Sequence, residues 1–125
     1  MCFDWSEYLR LAEQLAAEAE AGELLQARRR TAVSRAYYAA FHSTMGLLKS
    51  RGEYAPQGDG WDHEGVVRTC SQSSSRGWHP IGNDLRRLRR QRVNADYKAA
   101  MEVSDSLVQS AVERARDLID RLKRV

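Results

Sequence analysis

Apolar residues recur along this chain at three- and four-residue intervals. No stretch alternates with period two for long enough to make a sheet, so the pattern predicts an all-α protein. Trp5, Tyr8, Leu9, Ala12, Leu15, Ala16 and Ala19 share one face of a first helix, with Asp4 or Ser6 placed to cap it and Gly22 to stop it. A longer helix is expected from about Glu23 to Arg51 on the stripe Val33, Ala36, Tyr37, Ala40, Phe41, Thr44, Leu47 and Leu48, ending at Gly52 with Pro56 just beyond. Residues 53–62, EYAPQGDGWD, read as a loop, and His63 to Cys70 as a short helix capped by Asp62. The polar, small stretch SQSSSRG at 71–77 has the composition of a disordered loop. Leu85 and Leu88 anchor a short arginine-rich helix, and Leu107, Val108, Ala111, Ala115, Leu118, Ile119 and Leu122 define a long final one. Together these elements predict one domain over residues 1–125, an up-and-down bundle of four or five helices.

Composition agrees with that frame. The chain has 125 residues, 42% hydrophobic and 30% charged, with two prolines, as expected of one folded domain rather than a disordered or collagenous chain. No uninterrupted apolar run approaches the roughly 20 residues of a membrane span, and no basic segment precedes the apolar stretch of the N-terminus, so neither a membrane span nor a secretory signal is expected. Cys2 and Cys70 are too few and too far apart for a disulfide framework or a zinc site. A cytoplasmic protein with two plain thiols is the expectation.

The net charge of +3 hides an asymmetry. Residues 1–27 carry a net −5, residues 28–99 a net +8, and residues 100–125 balance. The densest basic run is Arg86, Arg87, Arg89, Arg90 and Arg92, joined from a distance by Arg28, Arg29, Arg30 and Arg35. Guanidinium groups offer rigid forks of donors that suit phosphate oxygens, and they suit equally a solvated face that meets an acidic protein.

Two constellations stand out. Arg35, Tyr38 and His42 are spaced i, i+3, i+7 and form a polar track beside the apolar stripe of the second helix, either the edge of a phosphate groove or a hydrogen-bonded network within the bundle. Downstream, Arg89, Arg90, Arg92, Asn94, Asp96 and Tyr97 bring donors, a carboxylate and a phenol together. There Asp96 either pairs with Arg92 or caps the next helical segment, and Tyr97 packs by its ring. His63 and His79 fall in or near loops and rank below His42 as candidates. No metal is expected, since His63 and Glu64 are adjacent and His79 has no ligand at useful spacing. No Gly-rich phosphate loop or nucleophile elbow is present in the sequence.

The segment SRAYYAAFHSTMGLLKSRG, the downstream His63-Glu-Gly-Val-Val, RQRVNADY and a long final helix together resemble the HEPN superfamily over about residues 5–123. The likeness is to its small stand-alone branch, marked by S-R-A-Y-Y-A-x-F-H and a later R-x-x-A-D-Y-like signature. The resemblance implies a four- or five-helix bundle, commonly a homodimer whose two copies place their motifs at a shared cleft. It implies also metal-independent ribonuclease activity in many members, and in others a toxin silenced by a minimal nucleotidyltransferase partner or a domain of a defence protein. Nuclease members have an Arg followed after four to six residues by a His; here Arg92 is followed at that distance by Tyr97, and no histidine lies in residues 80–125. A phenol with a pKa of about 10 is a poor general base at neutral pH.

The expected function is therefore binding of RNA or a nucleotide by an arginine-rich cleft of Arg35, Arg89, Arg90, Arg92 and Asn94, without a cofactor, in a toxin–antitoxin or defence module. Arg92, Tyr97 and His42 are the catalytic candidates for a metal-independent ribonuclease, with Tyr38 and Asp96 orienting. The alternative is a non-catalytic module that docks onto a partner nucleotidyltransferase.

Overall fold

The computed structural model describes residues 3–18 and 22–125. Cys2 and Ala19 lie outside the described residues. Five α-helices succeed one another: α1 (Ser6–Glu18), α2 (Leu25–Ser50), α3 (Asp62–Gln72), α4 (Trp78–Tyr97) and α5 (Asp105–Leu122), with no strand among the described residues. This is the all-α bundle that the periodicity predicts.

The 26 residues of α2 make it about 39 Å long at 1.5 Å per residue, and it runs through the centre with α1, α4 and α5 packed around it. Its stripe is buried as expected, and small residues widen it: Ala32, Ala36, Ala39 and Ala40 are fully buried, so backbones can approach on several sides. α3 lies chiefly on α4 and touches α2 lightly. None of the described helices is long and apolar enough to cross a membrane.

Local chemistry sets the helix ends. The Asp4 carboxylate accepts from the backbone N–H of Ser6 at 3.0 Å and from its hydroxyl at 2.6 Å, closing the turn that opens α1. α2 stops at Gly52, whose φ of +69° is open to glycine without strain; Gly52 N–H donates to Lys49 O and Glu53 N–H to Leu48 O, which satisfies two carbonyls at the helix end. Ser104 caps α5 by accepting from Leu107 N–H at 3.1 Å.

Three sequence expectations are corrected. Asp62 is not the N-cap of α3: it is the first helical residue, and its carboxylate turns back to the preceding loop. Residues 71 and 72 continue α3 rather than opening a disordered loop, and the remaining residues form a turn in which Ser75 N–H donates to Ser73 Oγ and the His79 ring meets Ser73 O at 3.0 Å. The arginine-rich helix is 20 residues long rather than short. Pro80 occupies its third position, where a missing N–H leaves no intrahelical bond unmade.

α4 and α5 are fastened to the start of α2. Gln26 and Val103 exchange two hydrogen bonds, each 2.9 Å, and Arg29 donates to Val103 O at 3.2 Å. Arg30 donates to the carbonyls of Ala95, Lys98 and Met101. Two of the arginines that the sequence groups with the basic cluster thus hold the α4–α5 connection, and the Arg30 charge sits at the C-terminal end of α4.

Candidate functional site

The site is built from α2, α3 and α4 and from the loop that joins α2 to α3. The loop is shaped by Asp62, whose carboxylate accepts from Tyr54 Oη at 2.6 Å, Gln57 N–H at 2.8 Å and Gly58 N–H at 2.9 Å. The Gln57 and Tyr54 bonds hold its pKa below the usual carboxylate range, while burial and the neighbouring carboxylate push the Tyr54 phenol up to about 12. Gly65, one turn into α3, makes room for this arrangement: a Cβ there would stand 2.5 Å from the Tyr54 hydroxyl.

Under this loop lies a cavity of about 450 Å³ whose walls include Tyr37, Tyr38, Phe41 and His42 of α2, His63 of α3, and Arg89 and Arg92 of α4. A second cavity of about 340 Å³ adjoins it, sharing His63 and Arg89 and adding Glu64, Arg86, Arg90 and Asn94. The two form one groove along α4. Arg86, Arg89 and Arg90 have no ion pair or hydrogen bond among the described residues, so three cationic forks stand along one wall, with the Glu64 carboxylate in the same lining but outside salt-bridge distance.

Arg92 is placed differently. Its Nη1 donates to Tyr38 Oη and to Asp96 Oδ2, both at 3.2 Å, and its guanidinium carbon lies 5.5, 5.4 and 6.0 Å from the ring centroids of Tyr37, Tyr38 and Tyr97. Cation–π contacts and a carboxylate partner on a largely buried side chain fix this arginine at the groove floor.

His63 is 8% exposed, and its Nδ1 lies 2.8 Å from the Tyr37 hydroxyl, which leaves Nε2 without a partner among the described residues. Burial, then the charges of Arg89, Arg86 and Arg92, pull its pKa down to about 4, so the imidazole is neutral at neutral pH. Burial also holds Tyr37 well above the usual phenol range. His42 is half-buried and stacks on Trp5, centroids 3.7 Å apart and planes 15° apart. Its pKa is lowered by burial, with Asp62 opposing.

The structure thus brings His42, Tyr38, Arg89 and Arg92 to one cavity, and Arg90 and Asn94 to its extension. Tyr97 is 73% exposed and lines a separate cavity with Gln26, Arg30 and Met101, with Arg92 linking it to the groove. Arg35 is engaged on the far end of the aromatic track, with its guanidinium carbon 4.7 Å from the Tyr8 ring centroid and 5.2 Å from that of Tyr38. Asp96 pairs with Arg92. His79 is tied to the α3–α4 turn.

His63 is the groove residue that spacing ranks lowest. Its partner Tyr37 is 26 positions away, on a helix that faces α3 only in the folded bundle; the sequence hints are that His63 comes directly after Asp62 at a loop-to-helix boundary and opens the segment His63-Glu-Gly-Val-Val. Cys70 is buried, and burial pushes its thiol up to about 12, so it is not a nucleophile at neutral pH. Among the described residues no three His, Cys, Asp or Glu side chains are grouped to hold a metal ion. Compared with known proteins, the chain matches no family model, and no curated protein matches it significantly.

Proposed function

We propose that this chain binds the phosphates of RNA or of a nucleotide in the groove between α2, α3 and α4, as a HEPN-like bundle of a toxin–antitoxin or defence module. One observation carries the reading: Arg86, Arg89 and Arg90 line one wall of a concave groove with no anionic partner among the described residues. Three neighbouring guanidinium groups repel one another, and phosphate oxygens would relieve that repulsion while accepting bidentate hydrogen bonds. Arg92 and Tyr38 form the floor beside them.

Metal-independent ribonuclease activity is the finer part of the proposal. In it the proton-transfer groups are the groove histidines, His42 foremost, rather than Tyr97, whose hydroxyl belongs to a neighbouring cavity. Labelled single-stranded RNA incubated with the protein in excess EDTA tests both levels. Retention of RNA that Arg89→Ala/Arg90→Ala abolishes supports binding, and cleavage that Arg92→Ala abolishes supports the nuclease. An acidic nucleotidyltransferase surface would suit the same arginines. If the double variant loses such a partner while RNA is never retained, the docking module is the better account.

A further inference from the structure

The Tyr37–His63 pair is buried, on the same face of α3 as Val66, Val67 and Cys70. Among the described residues His63 is the imidazole common to both halves of the groove. We propose that His63 is a direct phosphate ligand whose Nε2–H donates to a bound phosphate oxygen, and that the imidazole takes up a proton on Nδ1 as the anion binds, the Tyr37 hydroxyl turning from donor to acceptor. This rests on the phosphate-binding reading of the groove.

Hydrogen bonding sets the tautomer. The Tyr37 phenol has no acceptor among the described residues other than His63 Nδ1, and burial keeps the phenol protonated. Donation from Tyr37 to Nδ1 leaves the imidazole proton on Nε2, the ring nitrogen without a partner. A neutral N–H donor set among arginines then completes a site for an anionic oxygen.

The surroundings of the ring set its charge. α4 presents Arg86, Arg89 and Arg92, all of which disfavour the imidazolium. α2 presents Tyr37, Tyr38 and His42, the last disposed by burial towards its neutral form, and the loop and α3 present Asp59, Asp62 and Glu64 around the same cavities. The Asp62 charge is occupied by Tyr54 and two backbone N–H groups. The cationic side therefore dominates in the empty groove. A phosphate between the arginines and the ring reverses that balance, and by linkage a ligand that favours the protonated ring binds more tightly as pH falls.

The test is an NMR titration of the three histidine rings, with and without a saturating hexathymidylate lacking terminal phosphate, none of whose groups titrates near neutrality. His63→Gln and His42→Gln spectra assign the resonances. The expected result is a neutral, Nε2-protonated His63 in the free protein, whose titration midpoint rises by about one pH unit or more in the complex, matched by roughly tenfold tighter binding per unit. A complex that forms with an unmoved His63 midpoint, or a free ring protonated on Nδ1, overturns the inference and leaves phosphate binding intact. Absence of any complex overturns the phosphate reading itself.

Discussion

The Tyr37 hydroxyl and His63 Nδ1 meet at 2.8 Å inside the bundle, joining the central helix to a ring that three arginines of α4 surround. The pair makes the fold sensitive to acid. Native His63 binds a proton only near pH 4, whereas the unfolded chain binds one near 6.5. Below about 6.5 the unfolded state therefore gains protons that the native state refuses, and stability falls as pH drops towards 4. The loss is roughly 3 kcal/mol in all, and it is absent above the unfolded value. Denaturant titrations between pH 7 and 4 should show it, and His63→Gln should flatten that part of the curve. An unchanged slope in the variant would assign the effect elsewhere, first to His42, whose pKa burial also lowers from 6.5; Asp62, whose pKa is lowered, contributes only as pH falls into the ordinary carboxylate range.

Gly65 and Tyr54 are in closest reach of one another where the loop crosses α3. Gly65→Ala is expected to push the phenol off Asp62, leaving a carboxylate with two backbone partners and a displaced loop, at roughly 1–3 kcal/mol. Thermal unfolding checks the stability, and the fluorescence of nearby Trp61 reports the loop. Tyr54→Phe should not rescue the alanine, because ring carbons Cε1 and Cζ would still stand 2.6 and 2.8 Å from the added Cβ, whereas in a Tyr54→Ala background the same alanine should do little further harm.

Arg30 separates structural from ligand-binding arginines. It donates to three carbonyls at the α4–α5 connection, so Arg30→Ala should lower stability by roughly 2 kcal/mol, or about 8 °C in melting temperature. Its effect on RNA affinity should be small once folding is complete. Arg30→Lys should restore little, since one ammonium cannot span three carbonyls that a planar fork reaches.

Leu88 is fully buried between the arginines that flank it on α4. Leu88→Ala should cost about 2–5 kcal/mol in denaturant unfolding, as expected of a cavity in a filled core. A loss much below that range would mean that α4 is held mainly by its polar contacts.

The bundle itself was legible because its information is periodic. The α2 stripe from Val33 to Leu48 and the α5 stripe from Leu107 to Leu122 each repeat for several turns, and burial tracks them almost residue by residue. The boundaries of α3 and α4 were less so, because the serines after Cys70 and the proline at position 80 signal turns in isolation but sit in helix ends that tolerate them. The groove was half legible. Arg89, Arg90, Arg92 and Asn94 share a helix and so share a sequence signature, and Tyr38 and His42 share another. Spacing does not carry contact between helices. It could not pair Tyr37 with His63, set Arg92 on three aromatic rings, direct Arg29 and Arg30 to backbone carbonyls, or turn Tyr97 into a separate cavity.

Phosphate binding by the groove arginines is the proposal on which the others depend. Its most direct measurement is the affinity for single-stranded RNA as a function of salt, wild type beside Arg89→Ala/Arg90→Ala. The account predicts an affinity that falls linearly in the logarithm of salt, with the double variant weaker and its slope shallower by about 1.4 for the two contacts removed. Equal affinities and equal slopes for the two proteins would contradict it.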